Sequence, residues 1–207
     1  MSRFLIPISD YNRIYQVIHG VRGALEGSEK SCIFFASVGA YLLNTKFGIK
    51  ASAVAGMFAF CANDTPELAY FGEEEDEHIV SSERGFHMWI QTETHIIDFM
   101  APIFPEAFAE RGLTIPRKMF QRTLSSESEN LSALRAPGDF FTNPNPELTD
   151  TLVDRFLSTP SARDLIGVTD AWFGKRRQSQ ARSFQMADST GERFDLTLPR
   201  TTVSSSW

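Results

Sequence analysis

One stretch restricts the possible folds more than any other: Gly85 to Phe99, reading G-F-H-M-W-I-Q-T-E-T-H-I-I-D-F. Apolar and β-branched residues fill its two arms and polar residues its middle. This predicts two short strands joined by a tight turn at Thr92-Glu93. With that turn, His87 lies directly opposite Asp98. Directly opposed residues share a sheet face, with Cβ atoms roughly 4.5–5.5 Å apart. An imidazole and a carboxylate so placed can hydrogen-bond, which fixes the ring's tautomer and orientation. Trp89 falls on the same face two residues along, and His95 on the opposite one. Asp98 stands among Ile96, Ile97, Phe99 and Met100, and an acid buried in such company needs a partner.

An element apolar on every side is the other constraint. A helix is predicted from Ser28–Ser31 to about Lys46, stopped by Gly48. Ile33, Phe34, Phe35, Ala36, Val38, Ala40, Tyr41, Leu42 and Leu43 leave it no polar stripe, so it belongs in the middle of a domain. Cys32 sits in its first turn. Before it, Ser9 to about Leu25 shows amphipathic spacing, with Ser9 as the expected N-cap.

Ala51 to Cys61 alternates small and large residues, as a buried strand in a crowded place does. Short strands are expected at Glu67–Phe71 and from Ile79. Glu73 to Glu77, E-E-E-D-E, reads as a solvated loop, because five like charges repel one another. Beyond Met100, a short helix is expected near Glu106–Arg111 and an irregular crossing over Ser125–Pro146. Helices follow at Leu148–Leu157 and Ser161–Phe173, and a hairpin over Ser183–Leu198 turns at Asp188–Gly191. The expected class is α+β, one domain over residues 1–207. A catalytic-like core occupies 28–100, an elaboration 101–200, and a tail at 201–207 is expected to fray.

Composition excludes several roles. Net charge −6 and a pI near 5.3 argue against a nucleic-acid binder, and the basic run Lys175-Arg176-Arg177 reads as a solvated turn. No run approaches the ~18 apolar residues of a membrane span, and no secretory leader is evident, so the expected location is the cytoplasm. His78, His87, His95 and the acidic run lack metal-ligand spacing. Two cysteines make no disulfide framework, and in a reducing compartment each is a free thiol.

Each free thiol therefore needs its own account. Cys61 reads as core packing, since a free cysteine behaves as a small hydrophobe. Cys32 has the same ordinary reading, but it also meets the requirements of a nucleophile. A helix N-terminus favours the thiolate, His87 can serve as base, and Asp98 can hold the base. The Cys32 backbone N–H can contribute to an oxyanion hole. Gln16, Ser28 and Ser31 are the polar residues considered for its second donor. Trp89 is expected to wall the site, with contact to substrate as its functional alternative.

In order, S-C-I-F-F-A at Ser31–Ala36, H-M-W-I at His87–Ile90 and I-I-D-F at Ile96–Phe99 resemble the papain-like superfamily, especially its transglutaminase-like and arylamine N-acetyltransferase-like branches. The resemblance covers about Ser28 to Met100. It implies a cysteine-bearing helix packed on an antiparallel sheet or barrel and a Cys32–His87–Asp98 triad. The activity it implies is cysteine-dependent hydrolysis or acyl transfer on a small-molecule or peptide amide, ester or thioester. No cofactor or metal is needed. The chain departs from papain-type peptidases, which carry a glutamine shortly before the cysteine; here the residues are Leu25-Glu26-Gly27-Ser28. The acetyltransferases have glycines beside the cysteine, where this chain has Ser31 and Ile33. The alternative is a non-catalytic binding module on the same fold, because a fold does not guarantee an activity.

Overall fold

The structure, a computed structural model, describes residues 4–23, 31–64, 68–76, 78–187 and 192–207. Helix α1 spans Ile8–Arg22 and buries Tyr11, Ile14, Tyr15, Val17, Ile18 and Val21. Its N-cap is Pro7 rather than Ser9, with no side-chain cap; proline's fixed φ suits the entry to a helix. Leu25, the expected end, lies outside the described residues. Helix α2 spans Ser31–Phe47 and is buried on most sides. Gly48, at φ +66°, follows it, the left-handed stop that glycine adopts without strain.

The sheet is built on β1, Ala51–Cys61. It pairs antiparallel with β2 (Leu68–Phe71), β5 (His87–Thr92) and β8 (Phe140–Pro144). Gly56 is level with both His87 and Pro144, and Phe58 with both Phe71 and Thr142. Strands β2 and β5 therefore follow one another along one edge of β1, and β8 occupies the other edge. Strand β6 (His95–Asp98) joins β5, and β7 (Phe120–Thr123) joins β6. The class is α+β with an antiparallel sheet.

Sheet parity separates two cores. On one face Ala55, Met88, Ile90 and Ile97 meet α1 and α2. The same core takes in residues of α4 (Pro146–Ser158) and α5 (Pro160–Phe173). On the other face Phe58, Phe60, Trp89, Ile96, Phe120 and Phe140 form an aromatic core with Phe104, Phe108 and Trp207. Gly39 seats α2 on the first face: a Cβ there would come within 2.6 Å of Ile90 and Phe99 side-chain atoms.

Several expectations need correction. Glu73–Glu75 is not a loop but strand β3, paired with β4 (His78–Val80) in a two-stranded ribbon. Its side chains remain largely in water, so extension does not force the charges together. The expected irregular crossing contains β8, and β7 was not anticipated. The short helix α3, Phe104–Ala109, starts two residues early, after a 3-10 turn at Ala101–Ile103. The late hairpin forms from β9 (Ser183–Ala187) and β10 (Arg193–Thr197); its turn lies outside the described residues.

The tail, expected to fray, is instead docked. The Met119 N–H donates to the Ser205 carbonyl at 2.8 Å, and the Trp207 indole N–H donates to the Ala62 carbonyl at 3.1 Å. Trp207 is only 3% exposed, because a large ring and a backbone bridge outweigh the entropy of a chain end. Among the described residues no helix is long and apolar enough to cross a membrane.

Candidate active site

The hairpin at the centre of the sequence forms, with its turn one residue later than expected. Ile90 lies opposite Ile97 and Gln91 opposite Ile96, so the loop is Glu93-Thr94. Thr92 closes it: its hydroxyl oxygen accepts from the His95 N–H at 2.9 Å and the Thr94 N–H at 3.3 Å. The pairing shifts by two residues. A shift of two keeps every side chain on its face, so His87 and Asp98 meet diagonally instead of head-on.

The meeting is close. His87 Nε2 and Asp98 Oδ2 are 2.6 Å apart, at 0% and 2% side-chain exposure. The other carboxylate oxygen accepts from the Met100 N–H at 2.8 Å. The Tyr11 hydroxyl donates to the Asp98 carbonyl and accepts from the Phe120 N–H at 3.4 Å. Burial, then the charge of Asp98, holds the Tyr11 hydroxyl well above its ordinary pKa, so it remains a donor. Asp98 is thus fixed through both its side chain and its backbone.

Cys32 lies in the first turn of α2 and is among the groups that act on the same imidazole. Burial pulls the His87 pKa down. The Asp98 charge and hydrogen bond, joined by the interaction with Cys32, outweigh it and raise the pKa to about 9. The balance favours the charged ring. Nε2 is taken by Asp98, while Nδ1 is buried and makes no hydrogen bond. Cys32 itself is 7% exposed, and both cysteines are free thiols. Imidazole and carboxylate are so brought together from two strands, β5 and β6.

Aromatic rings enclose the imidazole. Phe71 stacks on it, with centroids 4.2 Å apart and planes 15° from parallel. Phe58 and Phe104 stand at 5.4 and 5.7 Å, tilted or edge-on. Trp89 is wholly buried with its ring against Phe58; it packs as a wall and has no open face for a substrate. His95 lies on the other face, its Nδ1 on the Thr94 hydroxyl at 2.8 Å. Cys61 is buried with Met57, Ala59 and Leu134, and burial, reinforced by Asp139, pushes its thiol pKa up.

The second oxyanion donor does not come from Gln16, whose amide N–H donates to the Pro199 carbonyl at 2.8 Å. Ser28 lies outside the described residues. Ser31 opens α2 beside Cys32, half-buried. Sequence reasoning missed Phe71, Tyr11 and Gly56. The residue opposite His87 is Gly56, where a Cβ would run into the Asn143 carbonyl oxygen at 2.2 Å. Helical spacing marks Tyr11 only as a core residue. Phe71 is legible only once the joint pairing of β2 and β5 along β1 is known.

No curated protein matches the chain. A solved structure described as "The crystal structure of genomics APC5867" is 28% identical, with a TM-score of 0.88. The match covers 100% of this chain and 99% of that one. The shared architecture thus runs through the helical, sheet and tail regions alike, including both strands that bear His87 and Asp98. A family model described as "Protein of unknown function (DUF2026)" matches residues 7–207, and the chain belongs to that family.

Proposed function

We propose that this chain is a cysteine-dependent hydrolase or acyltransferase of papain-like type, near the transglutaminase-like and arylamine N-acetyltransferase-like branches. The observation that carries the reading is the buried 2.6 Å His87–Asp98 pair, with Cys32 among the groups that raise the pKa of the same ring. The substrate is a small-molecule or peptide amide, ester or thioester. No metal or organic cofactor enters the reaction.

The attacking form is the Cys32 thiolate facing protonated His87. Sulfur bonds to the carbonyl carbon, and the carbonyl electron pair moves onto oxygen, towards the Cys32 backbone N–H. Collapse breaks the bond to the leaving group, which takes its proton from His87. Water or an amine then attacks the thioester and gives its proton to the neutral imidazole, and the thiolate departs. Asp98 keeps the ring aimed through both steps.

A non-catalytic binding module on the same fold is the second reading. Its support is the enclosure of the ring: His87 is 0% exposed beneath Phe58, Phe71 and Phe104. Mass spectrometry after exposure to a panel of activated acyl donors separates the two. The enzyme reading expects a covalent acyl adduct on Cys32, absent in Cys32→Ala and released by water or an amine. No adduct with any donor, or an equal adduct on Cys61, would sink it.

A further inference from the structure

We infer that Phe71 is a positioning residue for His87: its ring lies flat on the imidazole, steadies the charged form and limits rotation of the plane that carries Nδ1. The inference deepens the reading of His87 as the proton donor and rests on it for the word positioning.

The arrangement follows from the sheet. Strands β2 and β5 share one edge of β1, with Phe71 opposite Phe58 and His87 opposite Gly56. Gly56 and Phe58 are two residues apart, so Phe71 and His87 fall in succession on the aromatic face. The end of one strand thus delivers a ring to the start of the next. Of the three phenylalanines around His87, Phe71 alone is near parallel, at 15° and 4.2 Å. Phe58 is tilted by 55° and Phe104 by 67°. A cation over an aromatic face is attracted by the ring's negative π surface, and a tilted or edge-on ring offers less of it. Phe71 is half-buried at the edge of the aromatic core and also packs edge-on against Phe108, with centroids 4.8 Å apart. Asp98 fixes one ring nitrogen, and the flat contact of Phe71 fixes the plane that carries the other.

The titratable groups that act on His87 are Asp98 from β6 and Cys32 from α2; the phenylalanines from β1, β2 and α3 carry no charge. A change at residue 71 therefore leaves the ionic partners in place.

The experiment is an NMR titration of labelled His87 in the full chain, for the parent, Phe71→Leu, Phe71→Tyr and, as a control of equal chemistry, Phe58→Leu. The expected result is a His87 midpoint lowered by about half a unit to one unit in Phe71→Leu. Phe71→Tyr should stay near the parent, and Phe58→Leu should move it less than Phe71→Leu. Where Phe71→Leu does not fold, fluorinated phenylalanines at position 71 provide the same test, because they keep the ring's shape and weaken its π face. The midpoint should then fall as fluorines are added. A midpoint unchanged by Phe71→Leu or by fluorination, or moved as far by Phe58→Leu, overturns the inference. The titration reads His87 whether or not Cys32 turns over, so an inert Cys32 would remove the enzyme reading and leave the stacking result standing.

Discussion

Cys32 and Cys61 are two thiols of nearly equal burial, 7% and 3% exposed, in opposite chemical surroundings. Cys61 closes β1 among Met57, Ala59 and Leu134. Burial and the Asp139 charge there both disfavour its thiolate, against a smaller opposing pull from Arg135. Cys32 opens a helix and is one of the groups around an imidazole whose charged form a buried carboxylate favours. Burial alone therefore does not separate an inert thiol from a candidate nucleophile. The neighbours do, and here they come from a hairpin more than fifty residues further along the chain.

The largest effect should appear in covalent chemistry. His87→Ala is expected to lower the rate of acyl-adduct formation on Cys32 by about 10³-fold or more. Cys61→Ala should leave that rate unchanged, as read by mass spectrometry over time. A comparable loss in both variants would erase the distinction between the two thiols.

Stability should separate the regions next. Asp98→Ala removes the carboxylate that favours the charged ring, so the buried imidazole must give up its proton and its hydrogen bond, and urea unfolding should show a loss of about 3–5 kcal/mol. Cys61→Ala removes only a small apolar group and should cost about 1–2 kcal/mol.

Rising pH gives an effect of slightly smaller size. The folded-state pKa of His87, about 9, lies above its ordinary value near 6.5. The stabilisation from the charged ring is therefore complete below about pH 6.5 and is lost as pH climbs through about 9. Unfolding free energy should decline by on the order of 3 kcal/mol across that window, and the slope should vanish in His87→Gln. An unchanged slope in His87→Gln would place the pH dependence elsewhere. Smallest should be Tyr11→Phe, which removes the hydroxyl that holds the Asp98 carbonyl and costs about 1 kcal/mol.

The sequence carried the face of each site residue better than its partner. Side-chain alternation assigns His87, Trp89 and Asp98 to one side, and the two-residue shift in pairing preserved that assignment. The shift itself depended on Thr92, whose hydroxyl closes the Glu93-Thr94 loop, a local bond that propensities do not rank. All-round hydrophobicity made α2 and the place of Cys32 legible. Strands β7 and β8 were not, because their pattern is set by distant partners. Gln121 in β7 looks solvent-facing but is fully buried, with its amide bonding the Leu5 and Ile6 backbone. In β8 the Asn143-Pro144 end reads as a turn, yet it lies against Gly56 and Met57. The docked tail was hidden for the same reason: Trp207 is anchored by Ala62 and Met119, residues far off in the chain.

The most direct measurement is the rate of iodoacetamide alkylation at each cysteine of the parent protein from pH 5 to 10, resolved by peptide mass spectrometry. Cys32 should be modified near neutral pH at least about tenfold faster than Cys61, with Cys61 gaining rate only in the alkaline range. Cys32 modified no faster than Cys61 throughout would contradict the reading of Cys32 as a nucleophile.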